Sequence, residues 1–197
     1  MAYALDDFEV MISREELARR TAELGREITA HLEGKGDQLV VVGVLKGALV
    51  FMADLIRHLP PDATCDFLRL SSYSGTESTG TVRFDFDLTQ PITGKDVLIV
   101  EDIVDTGLTM SFLLEALEVR KPRTLKLCTL LHKPARTKRP VPIDYLGFTI
   151  PDKFVIGYGL DYEGRFRNLD HIRALRPGAV ARPDESAEDK ALPGAER

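Results

Sequence analysis

The chain is poor in the groups that announce metal-cage, disulfide or nucleic-acid chemistry. Its 2 cysteines, Cys65 and Cys128, sit in separate apolar segments without C-x-x-C spacing, which argues against a disulfide or zinc site and leaves reduced, buried core thiols. The 4 histidines, His31, His58, His132 and His171, are scattered and form no H-E-x-x-H pair, so each reads as a surface or helix-end residue. No Gly-x-x-x-x-Gly-Lys-Ser/Thr run occurs, which removes the main nucleoside triphosphatase alternative. Lys and Arg number 26 against 31 Asp and Glu, and a formal net charge of −5 speaks against non-specific nucleic-acid binding. No apolar run is long enough to span a bilayer, and residues 1–10 carry acids where an export signal is basic and then apolar. A cytoplasmic protein with no membrane or nucleic-acid partner is the expectation.

What remains is enough for one core. With 197 residues, 44% of them hydrophobic, a single domain over residues 1–177 is expected. From Pro177 onward aromatics and periodicity vanish, so residues 178–197 read as a disordered tail. Ser13-Arg14-Glu15-Glu16 is a capping-box signature for a helix running to about Leu32, where Gly34-Lys35-Gly36 ends it. Leu39 to Leu45 is an almost wholly apolar strand, and Ala48 to Leu59 has helical spacing that puts Leu49, Met52, Leu55 and Ile56 on one face. Phe67 to Ser71 and the alternating Val82 to Leu88 read as strands of a mobile hairpin around the polar loop from Ser72 to Thr81. Further strands are expected at Leu125 to Leu131, Tyr145 to Ile150 and Phe154 to Tyr158. Helices between buried strands predict an α/β fold with a mainly parallel sheet flanked by helices.

Residues 97–109, Val-Leu-Ile-Val-Glu-Asp-Ile-Val-Asp-Thr-Gly-Leu-Thr, carry the most chemistry. Val97 to Val100 is a β-branched run suited to the middle of a parallel sheet, and Glu101 and Asp102 leave it together. Asp105-Thr106-Gly107-Leu108-Thr109 then supplies small and hydroxyl residues before a helix beginning at Met110. Unsatisfied N–H groups at a helix N-terminus bind phosphate with little further help. The adjacent acids would repel that phosphate unless a divalent cation or a ribose diol intervened, so the segment reads as a site for a phosphorylated sugar with metal nearby.

Ligands of such sheets bind beyond the carboxyl ends of the strands. After the first strand, Lys46-Gly47 reads either as a simple turn or as a place where backbone amides approach a pyrophosphate beside a cation. The loop that opens with Ser72 and Tyr73 has too many hydroxyls and glycines to pack as core. Lys133 stands where a side chain could reach a ligand, with a solvated loop lysine as the plain alternative, and the neighbouring Arg136, Lys138 and Arg139 read as a solvated basic run.

The 97–109 stretch resembles the phosphoribosyl pyrophosphate (PRPP) motif of the type I phosphoribosyltransferases, and the other segments match those of the family's hypoxanthine type in the family's order, over roughly residues 5 to 175. The resemblance implies the family's fold, with a small hood and a flexible active-site hairpin. It implies transfer of the 5-phosphoribosyl group from PRPP to N9 of a 6-oxopurine, hypoxanthine and also guanine, with Mg2+ as cofactor and a homodimeric or homotetrameric assembly. Glu101, Asp102, Asp105, Thr106, Gly107, Leu108 and Thr109 are then expected to hold the phosphoribosyl part, with Asp105 as general base for the purine N7 proton. Lys46, Gly47 and Arg167 take the pyrophosphate side, and a cis peptide is common in the family between the residues matching Leu45 and Lys46. Ser72 and Tyr73 belong to a lid, Lys133 donates to O6, Phe154 stacks on the base and Val155 meets its edge. Asp161, with Glu101 and Asp102, serves the metal. Leu108 departs from relatives that carry lysine there; since the loop binds through backbone N–H groups, function should survive the change.

Overall fold

The computed structural model describes residues 3–32, 39–72 and 82–179. The helix stop at Gly34-Lys35-Gly36, the loop residues 73–81 and residues 180–197 lie outside the described residues, as does the Ser72 side chain.

Among the described residues there are nine strands and three α-helices. They are β1 (Phe8–Ile12), α1 (Arg14–Leu32), β2 (Leu39–Leu45), α2 (Leu49–Leu55), β3 (Thr64–Ser72), β4 (Val82–Phe86), β5 (Asp96–Val104), α3 (Leu108–Glu118), β6 (Thr124–His132), β7 (Tyr145–Thr149), β8 (Val155–Ile156) and β9 (Ile172–Leu175). Six strands form the main sheet in the order β4-β3-β2-β5-β6-β7. All its pairings are parallel except β3 with β4. That is the expected α/β sheet, and the antiparallel pair is the expected hairpin, with Ser72 opposite Val82 at its loop end. The capping box forms as read: Glu16 N–H donates to Ser13 Oγ at 3.2 Å and Ser13 N–H to the Glu16 carboxylate at 2.8 Å.

The core lies on both faces of β2 and β5, which is why those strands are continuous apolar runs. On one face Leu17, Leu24 and Ile28 of α1 and Phe51, Met52 and Leu55 of α2 bury against Val41, Leu98 and Val100. On the other, Met110, Leu113 and Leu117 of α3 pack on Val40, Val42, Ile99 and Leu127. The inward face of α2 differs from the expectation. Leu49 is 50% exposed while Phe51 is fully buried, because the helix ends at Leu55 and a one-turn 3-10 helix, Ile56–His58, follows. Cys128 is buried as read, but Cys65 is exposed near the start of β3.

A second, three-stranded antiparallel sheet, β1-β9-β8, forms the hood and buries Ile12, Val155, Ile172 and Ala174 in the same core as α1 and α2. Neither β1 nor β9 was apparent in the sequence. The expected strand from Phe154 to Tyr158 is only Val155–Ile156, since Gly157 (φ 95°), Tyr158 (φ 49°) and Gly159 (φ 104°) turn the chain through left-handed backbone.

Candidate active site

Strand β5 runs four residues past the apolar core. It stays paired with β6 as far as Val104 opposite His132, but its pairing with β2 stops at Val100 opposite Gly43. Glu101 and Asp102 therefore lie within the strand, not after it, at the point where one neighbour has peeled away into α2. The turn that does so carries Gly47. A Cβ there would sit 1.5 Å from Asp102 Oδ2, so only glycine lets the two segments meet. The Leu45–Lys46 peptide is cis, and Lys46 itself is exposed.

The two acids are poorly neutralised. Glu101 Oε2 is sealed from solvent without a hydrogen-bond donor among the described residues. Burial, and then the charge of Asp102, hold the Glu101 carboxyl well above the usual carboxylate range. Burial pushes Asp102 up to about 6, against the hydrogen bond from Ile103 N–H at 2.8 Å and the positive charge of Arg167. Buried carboxyls left in this state favour a cation or hydroxyl donors beside them. No group of three or more metal-binding side chains converges among the described residues. Asp161 shares a cavity with Asp102, with its Oδ1 paired to Arg167 at 2.5 Å and its Oδ2 accepting Gly164 N–H at 2.7 Å. Arg167 also donates to the Gly159 carbonyl at 2.6 Å, and a Cβ on Gly159 would stand 2.1 Å from the Gly47 carbonyl. Arg167 and the Lys46-Gly47 turn thus both approach Gly159.

Beyond Val104 the chain bends into a small cavity of about 130 Å³, lined by Glu101, Asp105, Thr106, Gly107 and Thr109 among others. Gly107, at φ 78°, is the N-cap of α3, which starts at Leu108, two residues before the expected Met110. The loop is fixed from outside. Lys138 and Arg139 donate their backbone N–H groups to the Thr106 carbonyl at 2.9 and 3.1 Å. A Cβ on Gly107 would lie 2.0 Å from the Arg139 carbonyl oxygen. The Leu108 side chain is 50% exposed and lines no part of this cavity, so its difference from lysine leaves the backbone cradle intact.

A cavity of about 480 Å³ adjoins the loop. Asp102, Asp105, Lys133, Phe154, Val155 and Asp161 all line it, together with Arg136, Asp152, Ile103 and Leu160. Lys133 is buried, its N–H bound to the Val104 carbonyl at 3.1 Å and its Nζ 3.9 Å from Asp152. Phe154 is half-exposed and meets Tyr162 edge-on at 5.8 Å, while Val155 is buried in β8. A wider hollow of about 520 Å³ opens between α1, α2 and residues 167–170, but it contains neither β5 acid and no part of the loop. The smaller pair of cavities, meeting at Asp105, is where the acids, cradle and apolar wall coincide.

A family model for the phosphoribosyl transferase domain matches residues 13–163. The chain belongs to the phosphoribosyl transferase family. Among its relatives, the hypoxanthine phosphoribosyltransferase of Escherichia coli strain K12 is 49% identical over 165 residues, covering 83% of this chain and 93% of that protein. The hypoxanthine-guanine phosphoribosyltransferase of Bacillus subtilis strain 168 is 46% identical over 170 residues, covering 86% and 93%. The crystal structure of a hypoxanthine phosphoribosyltransferase from Staphylococcus aureus superposes with a TM-score of 0.82 at 45% identity, covering 87% of this chain and 94% of that one.

In this phosphoribosyl transferase one assignment from the sequence is corrected. Arg136 is not a solvated bystander: its Nε lies 2.9 Å from Asp105 Oδ1 and its Nη1 3.6 Å from Asp152. The geometry at Asp105 is that of an ion pair without a hydrogen bond, for Oδ1 is buried and has no hydrogen-bond donor among the described residues. Asp152 was likewise overlooked. Lys133 and Arg136 come to the same side because Pro134–Arg136 forms a single 3-10 turn with Lys133 as its N-cap, and residues three apart eclipse on such a turn. Arg139 does behave as a surface residue in its side chain, paired with Glu115 at 2.5 Å, although its backbone holds the loop.

Proposed function

We propose that this transferase is a purine-salvage enzyme that moves the 5-phosphoribosyl group of PRPP to N9 of hypoxanthine, and also of guanine, releasing pyrophosphate and forming IMP or GMP. The observation that carries the reading is the position of Asp105, whose backbone belongs to the anion cradle and whose carboxylate lines the adjoining apolar-walled cavity. The relatives' names give the base.

The cradle of residues 105–109 takes the 5-phosphate through N–H groups at the start of α3. Glu101 and Asp102 hold the ribose hydroxyls, which fixes the sugar for in-line displacement. The C1–pyrophosphate bond breaks as the bond from N9 to C1 forms, and Asp105 accepts the N7 proton of the base. Lys133 donates to O6; an ammonium has no acceptor for the amino group of adenine. Phe154 offers a half-exposed ring for the base to stack on. Lys46 and Arg167 favour the leaving pyrophosphate. Ser72 and Tyr73 would close over the site to keep water from the ribosyl centre.

Of the three acids that the resemblance assigns to the metal, Asp102 and Asp161 line one cavity, and such a pair fits magnesium, a hard cation that keeps most of its waters and needs only one or two carboxylates, with Glu101 beside Asp102 on β5. Held by these residues, the metal would supply charge neutralisation for the pyrophosphate. On the family resemblance, the enzyme works in the cytoplasm as a homodimer or homotetramer, a state that sedimentation velocity measures. The deciding assay supplies PRPP and magnesium with hypoxanthine, guanine, xanthine, adenine or uracil in turn. Nucleotide from hypoxanthine and guanine is expected, and no nucleotide from any base would overturn the reading.

A further inference from the structure

Four alternating charges run around the wall of the base cavity. Asp105 follows β5, Lys133 follows β6, Arg136 closes the 3-10 turn after it, and Asp152 comes after β7. Arg136 bridges the two acids, 2.9 Å from Asp105 Oδ1 and 3.6 Å from Asp152 Oδ1. Asp152 Oδ1 in turn is shared with Lys133 Nζ at 3.9 Å. The ends of the run, Asp105 and Lys133, are the groups assigned above to N7 and O6 of the base.

We propose that Arg136 and Asp152 are positioning residues that hold Asp105 and Lys133 at the spacing of the N7–O6 edge of a 6-oxopurine, and so set the choice of base. The inference rests on the phosphoribosyl-transfer reading of the same site. Its physical basis is the unequal exposure of the run. The Lys133 side chain is 7% exposed and Asp105 Oδ1 is sealed, whereas Arg136 and Asp152 are 47% and 50% exposed at the rim. A buried charge is stable only opposite a counter-charge, so each end takes its position from a rim residue. Because one Asp152 oxygen serves both cations, displacement of either rim residue moves both ends. A 6-oxopurine carrying its N7 proton meets this pair with a donor and an acceptor in the matching order. Adenine offers donors at both places, and a site built for one polar pattern rejects the other strongly.

The test is a kinetic double-mutant cycle. Arg136→Ala should lower kcat/KM for hypoxanthine by about 10- to 100-fold, the range of coupling within one charge network, with KM for PRPP changed by less than about 2-fold. In an Asp105→Asn background the same change should cost less than about 3-fold, since the carboxylate it positions is gone. Arg136→Lys should recover part of the loss. Asp152→Asn should narrow the preference for hypoxanthine over adenine by about 10-fold while the melting temperature stays within a few degrees. Equal costs of Arg136→Ala in both backgrounds would overturn the proposal, as would an unchanged base preference in Asp152→Asn. A wild-type protein that makes no nucleotide from any base would overturn the transfer reading itself, which separates the two failures.

Discussion

Asp102 is the residue whose protonation the fold sets most plainly. Burial carries its carboxyl from 3.8 up to about 6, and an acid raised in this way binds its proton more tightly folded than unfolded. Relative to an Asn at the same position, the ligand-free wild type therefore keeps its full stability below the unfolded value and loses it as pH rises through the folded one. Thermal unfolding of ligand-free wild type and Asp102→Asn should show the advantage of the variant growing between about pH 4 and pH 6, by at most about 1.4 kcal/mol per pH unit. A gap that stays constant across that window would show that Asp102 titrates normally. The same variant should lose transferase activity, the usual conflict between a stable site and a working one.

The β5–loop–α3 unit is fixed by contacts along its whole length. Its weakest tolerance is at Gly107, which combines a φ of 78° with an Arg139 carbonyl 2.0 Å from where a Cβ would stand. Gly107→Ala should cost about 1 to 3 kcal/mol of stability and weaken PRPP binding at least about 10-fold, read by thermal unfolding and titration calorimetry. Wild-type affinity in that variant would mean that the cradle does not depend on this turn. The unit was legible in the sequence because its signals are local: an apolar run, acids, then glycine and hydroxyls before an apolar helix. Even so, the strand was read four residues short, since nothing local says that β6 stays paired beyond Val100. Strands β1 and β9 gave no such signal. Each is short and takes its identity from the other, with Phe8 opposite Leu175. Arg136 escaped for the same reason, its partner Asp105 being far along the chain and brought near only by the parallel pairing of β5 with β6.

At the scale of the whole molecule, the described residues that build the core and the two site cavities all precede 177. Residues 178–197 carry no apolar pattern with which to dock, so their removal should leave kcat and melting temperature unchanged within error. A clear fall in either would show that the segment packs on the domain. The hood has a different standing, because it joins the two ends of the domain: β1 near the start pairs with β9 at 172–175, and β9 alone ties β8 to it. During synthesis the two halves of the site thus come due at different times. A nascent chain that has emerged through β6 already contains β2, β5, α3 and the phosphate loop, but β1 must wait for β9 before it has a partner and before Phe154 and Val155 are held against the pocket. On the proposed function, the half that grips the sugar phosphate is written early in the chain, and the half that reads the base is closed by the last of the described strands to leave the ribosome.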